Sequence, residues 1–108
     1  IVYIRIFSMK TFCFDIDETI CHTKGTDYEN SKPISTRIDQ INNLKTKGNK
    51  IIFFTARGFV SGHDLYEFTY NQLKSWGVDF DELYLGKPAA DYYIDDKGKD
   101  YFDWFTSG

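Results

Sequence analysis

Two aspartates near the start of the chain have the spacing of a catalytic pair. They lie in segment 12–19, which reads FCFDIDET, and they follow an apolar run. Strand geometry sends residues i and i+2 to the same face, so we expect Asp15 and Asp17 side by side at the end of a buried strand. Two like charges at that spacing repel unless a cation lies between them or one is protonated. The pair therefore predicts a metal-assisted active site.

The chemistry that suits such a pair is hydrolysis of a phosphomonoester. This reaction needs a nucleophile, an acid for the leaving oxygen and positive charge against the phosphoryl oxygens. Asp15 can be the nucleophile and form an aspartyl-phosphate, and Asp17 can protonate the leaving group and later activate water. The remaining requirements need residues from elsewhere in the chain.

Residues that adjoin later apolar runs can meet those requirements. The Thr55 hydroxyl can donate a hydrogen bond to a phosphoryl oxygen, and Lys87 can neutralise charge there while it screens the Asp15 carboxylate. Asp95 and Asp96 can complete an oxygen-rich magnesium site with Asp15 and a backbone carbonyl.

Arg57 follows closely after Thr55 and has two interpretations. Its guanidinium can bind a substrate phosphate or carboxylate through two hydrogen bonds, or it can form a surface salt bridge. His22 and His63 are expected to be solvated loop residues rather than catalysts. Cys13 precedes the first aspartate on the strand and is expected to point into the core.

Alternating strands and helices are predicted to position these residues. Apolar runs predict buried strands at 11–14 and 50–55, and short strands are predicted at 82–85 and 92–94. Helices are predicted from Pro33 to a stop at Gly48 and over 63–76 to a stop at Gly77, with a polar loop at 21–32. This order predicts a three-layer α/β sandwich with a central parallel sheet, in which ligands bind beyond the carboxyl ends of the strands.

The candidate residues and their order resemble the haloacid dehalogenase (HAD) superfamily of phosphohydrolases. The first motif of that family, an apolar strand followed by DxDx(T/V), matches segment 15–19. The second, a strand ending in Thr or Ser, matches 51–55, and the third is matched by Lys87. The fourth, a strand ending in an acidic pair, matches 92–96. The resemblance covers nearly all of the chain from Met9 onward.

The resemblance implies a Rossmann-like core, magnesium as the cofactor and distinct roles for the four carboxylates. It implies that Asp15 is the nucleophile and a metal ligand. It implies that Asp17 is the acid/base and that its backbone carbonyl binds the metal. Within the acidic pair it implies that Asp96 binds the metal directly and Asp95 through water.

Many members of the family carry a cap domain, inserted between the first and second motifs or between the second and third. Here a predicted helix, a strand and short loops already take up segments 20–54 and 56–86. No cap domain is therefore expected, and the site is expected to be open. Segment 21–32, which contains Tyr28, is expected to act as a small flap.

Composition and charge indicate the number of domains, the kind of partner and the location to expect. The chain of 108 residues is 42% hydrophobic, which suffices for one compact catalytic domain over 9–108. Residues 1–8 are interpreted as an upstream translated extension or a remnant of expression, too short to span a membrane. The net charge of −3 lacks the basic face typical of nucleic-acid binding. Two cysteines are too few for a disulfide scaffold or zinc site, which favours a cytoplasmic protein.

The leading hypothesis is a magnesium-dependent phosphomonoesterase that acts on a sugar phosphate or a similar small metabolite. Segments 55–58 (TARG) and 86–96 resemble small capless phosphatases of bacterial capsule and sugar biosynthesis. An open site also suits a homo-oligomer, in which a neighbouring subunit encloses the substrate. The alternatives are a phosphatase acting on polynucleotide ends and a non-catalytic binding module on the same fold.

Overall fold

The computed structural model describes residues 9–57, 65–85 and 92–94. Its secondary structure, in chain order, is β1 (Thr11–Asp15), β2 (Cys21–His22), a 3-10 turn (Tyr28–Asn30), β3 (Lys32–Pro33), α1 (Ser35–Thr46), β4 (Lys50–Thr55), α2 (Tyr66–Ser75), β5 (Glu82–Leu85) and β6 (Tyr92–Ile94). Neither helix in these ranges has the length and apolar character needed to cross a membrane.

Four strands form a parallel sheet in the order β5-β4-β1-β6. Strand β1 has a neighbour on each side: Asp15 lies opposite Phe54 of β4, and Phe14 lies opposite Ile94 of β6. The apolar runs of β1 and β4 suit these places, because a strand buried on both faces needs no polar alternation. The predicted α/β fold with a Rossmann-like parallel sheet is confirmed, and β4, β5 and β6 have the predicted bounds.

Both faces of the sheet are covered. Phe14 and Phe53 belong to the main hydrophobic cluster, to which both α1 and α2 contribute buried side chains. Cys13 and Ile52 each precede one of these residues, so they point to the opposite face, and they are buried as well. A sheet buried on both faces is what the predicted three-layer arrangement requires.

The predicted starts of both helices are wrong. Pro33 does not begin α1 but pairs with Cys21 in an antiparallel β2–β3 hairpin, and the helix starts at Ser35. Proline suits both the first turn of a helix and a short edge strand, so the sequence alone did not separate the two. Residue 63 does not begin α2, because Leu65 still has a non-helical backbone.

The predicted helix ends are confirmed. Gly48 follows α1 with φ of +96°, and Gly77 follows α2 with φ of +76°. Glycine adopts this left-handed region without the steric cost that a Cβ would add, so it ends a helix readily.

The predicted loop at 21–32, here called the flap, is partly ordered secondary structure. It contains β2, the 3-10 turn and the first residue of β3. The Ile34 backbone N–H donates to the Ile20 carbonyl at 2.8 Å and closes the base of the hairpin. Between β1 and β4 the chain holds only a turn, this hairpin and α1, so no cap domain lies between those strands.

Phe53 is a core side chain whose truncation is expected to lower the free energy of unfolding. It is fully buried, and its ring lies 6.0 Å from that of Phe14 and 5.7 Å from that of Phe80. Phe53→Ala is expected to lower the free energy of unfolding by about 3–5 kcal/mol, measured by urea denaturation, because it leaves a cavity. The exposed control Tyr84→Ala should change it by less than about 1 kcal/mol. Equal losses in the two variants would contradict the described core.

Candidate active site

The carboxyl edge of the sheet brings Asp15 and Thr55 together. Asp15 is the last residue of β1, and Thr55 is the last residue of β4. These strands are parallel neighbours, so their carboxyl ends lie at the same edge. Open parallel sheets bind ligands beyond this edge. The predicted nucleophile and the predicted phosphoryl-binding hydroxyl therefore lie on the edge where a ligand is expected.

A tight turn follows β1. The backbone N–H groups of Thr19 and Ile20 both donate to the Ile16 carbonyl, at 3.1 and 3.0 Å. Glu18 within this turn has φ of +64°, a strained value for a residue with a side chain. Its carboxylate accepts a hydrogen bond from the Thr23 backbone N–H at 2.8 Å, which holds the pKa of Glu18 below its usual value. This hydrogen bond links the turn to the flap.

The alternation of β1 continues into this turn. Phe14 and Ile16 both lie in the main hydrophobic cluster, whereas Asp15 and Asp17 are partly exposed. Oδ1 of Asp15 accepts a hydrogen bond from the Ile16 backbone N–H at 2.8 Å. The two aspartates thus lie outside the cluster that buries their neighbours, as the sequence pattern predicts.

The carboxylate of Asp17 is bound by a protein cation. Arg57 donates from Nε to Oδ2 at 2.9 Å and from Nη2 to Oδ1 at 2.8 Å, a two-bond fork. The Thr23 hydroxyl donates to Oδ1 at 2.6 Å. The sequence predicts a cation that relieves the repulsion between the two aspartates. For Asp17 the structure supplies a guanidinium.

Arg57 is buried rather than exposed. Its side chain is 1% exposed, so the interpretation as a surface salt bridge is wrong. Beyond Asp17, its Nη1 donates to Gln72 Oε1 at 2.6 Å and lies 3.4 Å from Thr69 Oγ1. Its guanidinium carbon lies 4.6 Å from the centre of the Tyr28 ring. Binding of a substrate anion by Arg57 stays a prediction, and in this structure its anion is Asp17.

The partners of Arg57 were not among the predicted site residues. Thr23 and Ser31 come from the flap, and Thr69 and Gln72 come from α2. The sequence did contain one signal, because Thr69 and Gln72 lie on the same side of α2 as Leu73. Two polar residues on the buried side of a helix indicate a buried polar partner.

The Thr55 hydroxyl supports the segment that carries Arg57. Thr55 is 2% exposed, and its Oγ1 accepts a hydrogen bond from the Arg57 backbone N–H at 3.0 Å. A hydroxyl that accepts in this way keeps its own proton for donation to a second acceptor. The predicted donation to a phosphoryl oxygen is compatible with this contact.

A shallow groove of about 270 Å³ lies between the turn and the flap. Polar side chains line it: Glu18, His22, Thr23, Lys24, Asn30 and Lys32. His22 is mostly exposed, as expected of a solvated loop residue, and its Nδ1 lies 3.3 Å from Glu18 Oε2. Thr23 lines the groove, and its hydroxyl donates a hydrogen bond to Asp17. The groove therefore lies next to the candidate site.

Three predicted site residues lie outside the described ranges: Lys87, Asp95 and Asp96. The predicted loop histidine, His63, lies outside them too. The described ranges contain no group of three or more His, Cys, Asp or Glu side chains arranged to hold a metal ion. The strand that precedes the acidic pair in sequence, β6, is described and pairs directly with β1.

Neither cysteine forms a disulfide, and both are buried. Cys13 lies in β1 and is fully buried, as predicted. The Cys21 Sγ lies 3.7 Å from Asp17 Oδ1 and 3.6 Å from the Ile16 carbonyl oxygen. Burial is the main cause that raises the pKa of Cys21 to about 11. The Cys21 thiol therefore lacks the character of a nucleophile at neutral pH, and Cys13 is fully buried.

Comparison with solved structures supports the fold. A crystal structure from Vibrio cholerae superposes with a TM-score of 0.72 at 25% identity, covering 91% of this chain and 89% of that one. A conserved protein from Bacteroides thetaiotaomicron gives a TM-score of 0.69 at 18% identity, covering 91% and 88%. No protein-family model and no curated protein matches the chain. Neither structural neighbour carries a name that states an activity.

The buried cysteines should resist thiol reagents in the native protein. At pH 8 a group whose pKa is raised to about 11 is almost entirely thiol, and the thiolate is the reactive form. We expect neither Cys13 nor Cys21 to react with a disulfide reagent such as Ellman's reagent within minutes at pH 8. Both should react after unfolding in urea. Rapid reaction of either thiol without denaturant would contradict their described burial.

Proposed function

We propose that this protein is a magnesium-dependent phosphomonoesterase of the HAD type that acts through an aspartyl-phosphate. The observation that carries the proposal is the position of Asp15, which ends β1 beside the end of β4 with Thr55. Asp17 follows on the same side of the chain, outside the hydrophobic cluster. A nucleophile, a proton donor and a phosphoryl-binding hydroxyl are the residue types that the reaction needs.

The reaction proceeds in two displacement steps at phosphorus. In the first, an oxygen of the Asp15 carboxylate forms a bond to phosphorus while the bond from phosphorus to the leaving oxygen breaks. This step needs Asp17 in its protonated form, whereas the structure pairs its carboxylate with Arg57; once protonated, its carboxyl group gives the proton to that oxygen and releases an alcohol. In the second, water attacks phosphorus, its proton passes to the Asp17 carboxylate, and the phosphorus–Asp15 bond breaks. Phosphate leaves, and both side chains return to their starting states.

Magnesium fits the chemistry of the donors that the chain offers. Mg²⁺ prefers carboxylate and carbonyl oxygens, and the proposed ligands are the carboxylates of Asp15, Asp95 and Asp96 and the Asp17 carbonyl. The Asp17 carboxylate is taken by Arg57, which agrees with a role for its backbone carbonyl as the ligand. When bound, the ion supplies positive charge against the phosphoryl oxygens, and Lys87 is proposed to add to it.

The surroundings of the site favour a small substrate. The flap and the polar groove beside Asp17 suit the hydroxyl groups of a sugar phosphate or a similar metabolite. The net charge of −3 disfavours a polynucleotide end. We also propose a cytoplasmic location, because Cys13 and Cys21 form no disulfide, and a homo-oligomer in which a neighbouring subunit closes the site.

The nucleophile is tested by Asp15→Asn. The purified protein is expected to release phosphate from 4-nitrophenyl phosphate when magnesium is present, and a chelator should abolish this. Asp15→Asn should lower kcat by at least about 10³-fold, because an amide cannot form the acyl phosphate intermediate. The control Asp39→Asn, at an exposed position of α1, should leave kcat unchanged. Full activity in the Asp15 variant would refute the mechanism.

The substrate class is tested by a comparative screen. Sugar phosphates and oligonucleotides phosphorylated at the 3′ or 5′ end are supplied at equal concentration, and released phosphate is measured. We expect the sugar phosphates to give the higher kcat/KM, because the net charge of −3 disfavours binding of a polyanionic oligonucleotide. Preference for the oligonucleotides would establish the end-processing alternative. No turnover of any phosphate ester would favour the non-catalytic binding module.

A further inference from the structure

Arg57 forms many hydrogen bonds in the candidate site, yet the proposed reaction assigns it no step. Arg57 is among the largest fully buried side chains, and its guanidinium contacts three separate parts of the chain. It binds Asp17 after β1, the Tyr28 ring and Ser31 in the flap, and Gln72 on α2. A buried charge is costly without such partners, so the arrangement demands an explanation.

We propose that Arg57 is a positioning residue that fixes the direction of the Asp17 carboxylate toward the leaving oxygen of the substrate. This inference rests on the proposed phosphatase function and adds to it. A proton donor must lie within hydrogen-bond reach of the atom it protonates, so the rotation of its carboxyl group matters.

The geometry restricts that rotation. The two bonds from Nε and Nη2 of Arg57 engage both oxygens of the Asp17 carboxylate, at 2.9 and 2.8 Å. The Thr23 hydroxyl adds a third donor, to Oδ1, from the flap. A lysine ammonium at the same place would be a point charge and would leave the carboxylate free to turn.

The guanidinium is itself held from the side opposite the aspartate. Gln72 accepts from Nη1 at 2.6 Å, and its own amide nitrogen donates to the Tyr28 carbonyl oxygen at 2.7 Å. Gln72 therefore joins α2, Arg57 and the flap. Because of this support, a shift of the flap would be transmitted to Arg57 and from it to Asp17.

The burial of Arg57 separates this role from direct substrate binding. At 1% exposure its guanidinium offers almost no surface to a ligand, whereas Asp17 is 26% exposed. The exposed member of the pair is the one that can reach the substrate. Arg57 therefore acts on the reaction through Asp17.

The test measures how the loss of activity depends on the leaving group. In Arg57→Lys, kcat/KM for 4-nitrophenyl phosphate should fall by less than about tenfold, because nitrophenolate leaves without a proton. For glycerol 2-phosphate, whose alkoxide needs a proton, kcat/KM should fall on the order of 10²-fold or more. Asp17→Asn should show the same trend. The double variant should lose no more than Asp17→Asn alone, since both changes affect one function.

Thr23→Val provides a second variant that keeps the buried arginine intact. It removes the hydroxyl donor to Oδ1 with little change in shape, and it should show a smaller loss with the same dependence on the leaving group. The matched control is Thr46→Val, an exposed threonine of α1, which should leave both substrates unaffected. Urea denaturation of each variant verifies that it is folded under assay conditions. If Arg57→Lys is unfolded, Thr23→Val decides the question.

Each outcome separates this inference from the proposed function. Equal losses for both substrates, or a rise in KM alone, would overturn the positioning role and assign Arg57 to structure or to phosphate binding. In that case the unaltered protein would still hydrolyse phosphate esters, and Asp15→Asn would still be inactive. Absence of turnover in the unaltered protein would overturn both proposals.

Discussion

A single buried ion pair organises the carboxyl edge of this sheet. The Arg57 guanidinium cannot be left unpaired in the interior, because an unpaired buried charge costs several kcal/mol, on the order of 3–5 when one partner is removed. Its requirement for acceptors brings the turn after β1, the flap and α2 to one point. The core beneath is held by apolar packing, whereas the site above it is held by directed polar bonds. The geometry of the edge therefore depends on one residue that the apolar pattern of the chain does not reveal.

The parts of the fold that could be predicted are those whose signals are local. The apolar run at β4 gives the observed bounds, because a central strand buried on both faces needs a continuous run, and β5 and β6 also have their predicted bounds. Gly48 and Gly77 mark the helix ends, because their positive φ is a property of one residue. The β2–β3 hairpin could not be predicted, since each strand has two residues and forms only through its partner.

The candidate site likewise has residues that local sequence signals predict and contacts that they do not. Asp15, Asp17 and Thr55 were predictable because each follows an apolar run at an expected spacing. The pairing of Asp17 with Arg57 crosses 40 positions in sequence, and no local pattern specifies it. The buried hydroxyl of Thr19 has no hydrogen-bond partner within the described ranges. The shape of this side chain therefore matters more than its polarity. That agrees with the Thr or Val alternative in the resembling motif.

The central place of β1 in the sheet has a consequence for how the chain reaches this structure. Strand β1 comes first among the strands, but its partners β4 and β6 follow after long stretches of chain. Contacts between distant segments form slowly, because the entropy of closing the intervening loops must be offset first. During synthesis the apolar residues of β1 therefore emerge long before the strands that will cover them. Asp15, the proposed nucleophile, lies on the strand whose sheet neighbours are synthesised long after it.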